Sequence, residues 1–217
     1  MRGPLRAVPA IALALAAAPA AAAARAAEPG MRLAYLLHYL RRERGGIRYE
    51  DMLRRATVFL PSGYRFVAVN DGLSQFAMRD ESAPFELRFR FDSEAALERT
   101  AARAGAAPPD RPSPELAAVM LEHLAGADEP PSLGGFAPFP PAAVKKEFGA
   151  DWGFILLRRF PIAARAPARG FTYGQVYVLH KNGVGTYTIF QLYGTDSFAE
   201  YKRLALGAFH VLKFESR

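Results

Sequence analysis

Two hydrophobic periods alternate along this chain. The segment "FELRFRFD" is the plainest case of the first: Phe85, Leu87, Phe89 and Phe91 interleave with Glu86, Arg88, Arg90 and Asp92. A period of two sends successive side chains to opposite sides of a strand, so the pattern predicts one apolar face and one charged, locally wet face. Upstream, Thr57 to Leu60, Arg65 to Asn70 and Ser74 to Arg79 also read as strands, punctuated by Pro61-Ser62-Gly63 and Asn70-Asp71-Gly72. Glycine accepts positive φ and Asn or Asp tolerates it, which makes both punctuations turns and the run an antiparallel meander.

The second period is helical. Leu33, Leu36, Leu37 and Leu40 stand at i, i+3, i+4 and i+7, a short amphipathic helix that Gly45-Gly46 would end. Asp92-Ser93 can cap a helix from Glu94 to Ala104, and Ser113 caps another with Pro114 at its first position, where a missing N–H costs nothing. A third, short helix spans Ala142 to Phe148 and stops at Gly149. Near the end, Ser197 and Glu200 form a capping-box pair ahead of a helix with Phe198, Tyr201, Leu204 and Ala205 on one face. Strands are predicted over Trp152 to Phe160 and Val211 to Phe214. The proline-rich stretches "GAAPPDRPSP" and "DEPPSLGGFAPFPP" mark an insertion around residues 105–150.

"HKNGVGTYT", residues 180–188, mixes a lysine, two glycines and two threonines as phosphate loops do. A phosphate loop, however, places its glycines before the lysine and opens a helix, so that backbone N–H groups converge on the anion. Here the lysine comes first and a strand follows. Asn182-Gly183 instead predicts a type I′ hairpin turn. That register sets Val176, Val178, Tyr187 and Ile189 on one face and Tyr177, Leu179, Phe190 and Leu192 on the other. With apolar residues on both faces, the hairpin must be covered on both sides. The expected fold is therefore α+β, a central antiparallel sheet with helices on both faces.

The order of these elements resembles the PsbP-like α/β/α sandwich. The resemblance rests on "VFLPSGYRF", "FELRFRF" running into a helix, the hairpin "GQVYVLHKNGVGTYTIFQL" and the closing "SFAEYKRLALGAFHVLKF". It covers residues 57–104 and 152–214, while the segment from Gly105 to Asp151 and the N-terminal helix depart from it. What the resemblance implies is a non-catalytic accessory or binding role, with no family-wide catalytic residue to carry over.

Composition narrows the setting. A chain of 217 residues, 51% hydrophobic, can bury one sizeable core. Arg2 and Arg6 precede an alanine-rich apolar run, and Ala24-Arg25-Ala26 fits a small-x-small cleavage site, so residues 1–26 read as a signal peptide. The run is too short and too broken by Pro9 and Pro19 to be a membrane span. A start at Met31 would remove this export argument. With cleavage, residues 27–55 form the N-terminal helical extension and 56–217 a single domain, in the periplasm or outside the cell. Losing Arg2, Arg6 and Arg25 lowers the formal charge from +7 to +4, which gives no argument for nucleic acid. The absence of cysteine excludes a disulfide framework and a thiol nucleophile.

No G-x-S-x-G motif is present, and His38, His123, His180 and His210 are far apart in sequence, so neither a catalytic residue, a metal site nor a cofactor is expected. Trp152, with Phe136 and Phe139 in the preceding loop, could line an apolar pocket. Core packing of the tryptophan is the competing account. Arg158 and Arg159 could bind an anion or an acidic partner, or simply extend from a sheet rim. Glu86, Arg88 and Arg90 could form a docking face, though charges also protect edge strands. The expected function is an envelope accessory protein that binds a partner protein; the alternative is a binder of a small apolar or anionic ligand near Trp152.

Overall fold

In the computed structural model, residues 40–51, 54–67, 69, 74–103, 105, 110–122, 135–161, 171–194 and 197–215 are described. The expected signal peptide and most of the expected N-terminal helix lie outside them. In chain order the strands are β1 (Leu40–Glu43), β2 (Gly46–Asp51), β3 (Ala56–Pro61), β4 (Tyr64–Val67), β5 (Phe76–Asp80), β6 (Phe85–Ser93), β7 (Phe136–Pro138), β8 (Trp152–Pro161), β9 (Tyr173–Lys181), β10 (Gly185–Tyr193) and β11 (Leu212–Phe214). The helices are α1 (Glu94–Arg103), α2 (Pro114–Glu122), α3 (Pro141–Phe148) and α4 (Phe198–Gly207). The fold is α+β, with two antiparallel sheets where a single one was expected.

The larger sheet has the order β4-β5-β6-β10-β9-β8-β7, with the β9–β10 hairpin inside it. Val176, Tyr177, Val178 and Leu179 are all buried, as is every residue from Gly185 to Tyr193, so the hairpin is covered on both faces. Its register differs by one residue from a type I′ hairpin. Tyr187 faces Leu179 and Thr188 faces Val178. Gly183 has φ +71° but Asn182 does not share that sign, and the Val184 N–H closes the turn on the Lys181 carbonyl at 3.0 Å. Positive φ at the second central residue alone is the type II pattern. A one-residue slip reverses which side chains share a face: Val176 and Val178 join Thr188 and Phe190, and Tyr177 and Leu179 join Tyr187 and Ile189.

On the first of these faces, Trp152, Phe154, Leu156, Val176, Val178, Phe190 and Leu192 form one buried cluster with Leu97 and Ala101 of α1 and Leu116, Ala117 and Met120 of α2. Each fully buried Phe or Leu contributes roughly 1.5–3 kcal/mol. The helices begin where their caps predict, with Ser93 Oγ accepting the Ala96 N–H at 3.3 Å and Ser113 Oγ the Leu116 N–H at 3.1 Å. The opposite face meets the smaller sheet, ordered β1-β2-β3-β11, through Tyr49 against Phe76 and Phe214 against Tyr187. Tyr187 Oη donates to Asp51 at 3.0 Å, tying the two sheets across 136 residues. Tyr201 of α4 stacks on Tyr193 and donates to Gln191 Oε1 at 3.2 Å.

Three expectations are corrected here. Residues 40–51 form the β1–β2 hairpin, so the described part of the supposed helical segment is strand. The meander comprises β4, β5 and β6 alone, because β3 pairs with β2 and β11 in the other sheet. The charged face of β6 is wet only towards its end. This strand is third in the large sheet and not an edge; Glu86 is 0% and Arg88 8% exposed, whereas Arg90 and Asp92 pair with each other in partial contact with solvent. Burial is tolerated because Arg79 Nε and Arg88 Nε each donate to the Glu86 carboxylate, at 2.6 and 2.7 Å.

Candidate functional site

The strongest concentration of polar groups lies where the β9–β10 hairpin turns. Gly149, in the left-handed conformation at φ +64°, ends α3 and starts the chain back towards the sheet. The Asp151 N–H then donates to the His180 carbonyl at 2.8 Å, which pairs Trp152 with His180 across β8 and β9. Their side chains fall on the same face, and the rings stack with centroids 4.4 Å apart and planes 13° from parallel.

His180 is 1% exposed and both ring nitrogens are engaged: Nδ1 lies 2.8 Å from Thr186 Oγ1 and Nε2 3.2 Å from Asn182 Oδ1. An amide oxygen only accepts, so Nε2 carries the proton and the Thr186 hydroxyl donates to Nδ1. Burial pushes the imidazole pKa below its ordinary value, opposed by the nearby Glu94 and Asp151 charges and by the bond to Asn182. Those two carboxylates hold the turn itself. Asp151 Oδ2 accepts the Asn182 N–H at 2.8 Å, and Glu94 Oε2, from the first residue of α1, accepts the Gly183 N–H at 3.1 Å. Lys181 Nζ reaches Asp151 Oδ1 at 3.5 Å.

Trp152 is the exception in this satisfied set. It is 6% exposed, and its Nε1 is buried with no hydrogen-bond partner among the described residues. The indole N–H can only donate. Around it the shared cluster is apolar, with Leu97, Leu116, Met120 and Phe154.

The residues singled out from the sequence do not form one site. Phe136 packs on Phe154, with ring centroids 5.1 Å apart, in the same cluster as Trp152. Phe139 belongs to the opposite side: its ring meets Phe148 and Phe209, and Phe209 lies on Tyr177, which faces away from Val178 and Trp152. Arg158 and Arg159 fall six and seven residues along β8 from Trp152, about 20 Å at strand rise. They sit where β8 and β9 slip register between Leu156 and Phe160, and Gln175 Nε2 fills the irregularity by donating to the Leu156 carbonyl at 2.9 Å. Glu86, Arg88 and Arg90, considered as a docking face, are largely spent on ion pairs within the sheet.

His180 was not legible as a site residue. As one of four scattered histidines it gave no metal spacing; its period-two phase with Val176 and Val178 was the one available signal that it lies on the Trp152 face. Among the described residues no three His, Cys, Asp or Glu side chains are grouped to hold a metal ion, and no helix is long and apolar enough to cross a membrane.

No family model matches this chain, and no curated protein does. Among solved structures it is similar to the solution structure of cyanobacterial PsbP (CyanoP) from Synechocystis sp. PCC 6803, at 13% identity over 80% of this chain and 95% of that one, with a TM-score of 0.41. The PsbP-like resemblance noted in the sequence is met at this level of chain trace alone.

Proposed function

We propose that this chain is a non-catalytic accessory protein, exported to the periplasm, and that it acts by binding a partner at the hairpin-turn end of the large sheet. The observation that carries this reading is the buried Trp152 N–H, a donor without an acceptor among the described residues, amid side chains that otherwise satisfy one another. A buried donor left unmatched costs about 1–3 kcal/mol, and a bound group offering an acceptor oxygen would recover it. The non-catalytic part is supported by His180, whose two nitrogens are both committed to neighbours and leave none to move a substrate proton. In the same reading the fold is a sandwich, with α1 and α2 over the Trp152 face of the sheet and α4 over the other.

An envelope protein is the first candidate partner, and a small apolar molecule with one acceptor is the second, favoured by the aliphatic side chains beside the indole. Trp152 is the sole tryptophan of the chain, so its emission reports on this place without background. Binding should shift that emission and raise the melting temperature of the wild type, because a ligand of the native state stabilises it. Trp152→Phe, which removes the donor and keeps an aromatic ring, should weaken retention of the same envelope partner or ligand. Equal retention by both proteins would end the proposal. The mature N-terminus of the periplasmic protein, read by mass spectrometry, tests export separately.

A further inference from the structure

We propose that the hairpin turn is a proton-operated latch: Glu94 and Asp151 hold the turn against α1 and the start of β8, His180, neutral and buried, braces it between Asn182 and Thr186, and a proton taken up by His180 releases it. This stands on the geometry of the turn and does not require the binding role.

Three elements meet at the turn, the start of β8 also through the Lys181–Asp151 pair and its ladder with β9. Glu94 brings α1 to the Gly183 N–H, Asp151 brings the start of β8 to the Asn182 N–H, and His180 bridges Asn182 on the turn to Thr186 on β10. In the neutral state every one of these groups has a matched partner. A second proton on the imidazole must sit on Nδ1, where the Thr186 hydroxyl now donates. That hydroxyl would have to turn and accept, and Thr186 is fully buried, so its own proton would lose its acceptor.

The charged groups facing His180 leave no outcome that preserves the latch. Lys181 is a cation and is engaged by Asp151. Arg90 and Asp92, on the strand beside Thr186, are paired with each other. From α2, Leu116, Ala117 and Met120 contribute only apolar surface to this cluster. Glu94 and Asp151 are the anions that could approach an imidazolium, and both already hold the turn's backbone N–H groups. If they move to the ring, the turn is let go; if they stay, a cation remains buried without a touching counter-ion. Burial already disfavours the protonated ring, which is consistent with this arrangement. Release would also uncover the Trp152 ring stacked on His180.

The experiment follows Trp152 emission and amide exchange at Asn182 and Gly183 in the full-length protein between about pH 8 and pH 5, the range in which imidazole titrates. The expected result is a sigmoidal change in emission, with exchange at both amides accelerating about tenfold beyond the intrinsic pH trend while the rest of the sheet stays protected. His180→Gln, whose amide can both donate and accept, should abolish the change, and His210→Gln should leave it in place. Should His180→Gln fail to fold, the His180 ring resonances of the wild type decide the matter: the emission midpoint must coincide with the His180 titration. A transition that persists in His180→Gln, one that tracks another histidine, or a wild type that shows none short of global unfolding would overturn the latch.

Discussion

The same face of the large sheet buries two polar sets of opposite character. Towards one end of β6, Glu86 lies beneath Arg79 and Arg88, three formal charges locked together, with Arg79 33% exposed and leaning on Phe171. At the hairpin turn, His180 is held by the neutral side chains of Thr186 and Asn182, and the nearby carboxylates bond to backbone N–H groups. The difference lies in what a proton can do. An imidazole gains or loses a proton near neutral pH, so the second set can respond to pH.

The comparison is broken most forcefully at Glu86. Glu86→Ala removes the buried carboxylate on which Arg79 and Arg88 both converge and should cost about 3–5 kcal/mol in urea unfolding. Replacing Glu86 and Arg88 together by Leu and Met should recover most of that loss, since well-packed apolar groups can substitute for a buried pair. If the double change is as damaging as the single, the charges do more than hold the sheet. Next in size is the turn's backbone. Gly185 has φ +141°, and a Cβ there would run into the Asp92 carbonyl and the Phe91 ring, so Gly185→Ala should lower stability by about 1–3 kcal/mol in the same assay.

Protonation provides the sharpest contrast between the sets. The folded-state pKa of His180 is depressed below the ordinary value of 6.5, so the unfolded chain takes up its proton first as pH falls. The stability this group contributes is fully present above about pH 6.5 and is lost progressively below it, down to the folded-state pKa. His180→Gln should flatten that slope in unfolding curves measured across the range. The smallest effect is expected from Trp152→Phe. Losing part of a buried ring costs packing, but deleting an unmatched donor returns energy, for a net change within about 1 kcal/mol by thermal unfolding.

Much of this architecture could be read from local chemistry. Ser93, Ser113 and Ser197 each accept a backbone N–H two or three residues on from where a helix begins, and Gly149 takes the left-handed conformation at a helix end. These are short-range rules, and they held because nothing beyond the neighbouring turn is needed to satisfy them. The candidate site was far less legible. Phe136 and Phe139 are three residues apart yet point to opposite sides of the sheet, and Trp152 and Arg159 share a strand but lie at its two ends. The alternation in "FELRFRFD" was read as a wet face because a charged period-two pattern is ambiguous between solvent and a buried ion pair, and the partner that resolves it, Arg79, sits on another strand.

By itself the sequence determined the helix starts at Ser93, Ser113 and Ser197, the helix stop at Gly149, and that the β9–β10 ribbon must be buried on both faces, since no assignment of its alternating positions leaves either side polar. Tertiary structure alone decided the one-residue register of that ribbon, the division of the strands between two sheets and the meeting of Trp152 with His180. Those outcomes depend on contacts between residues far apart in the chain, such as Tyr187 with Asp51, whose energies appear only when the two sheets are packed together.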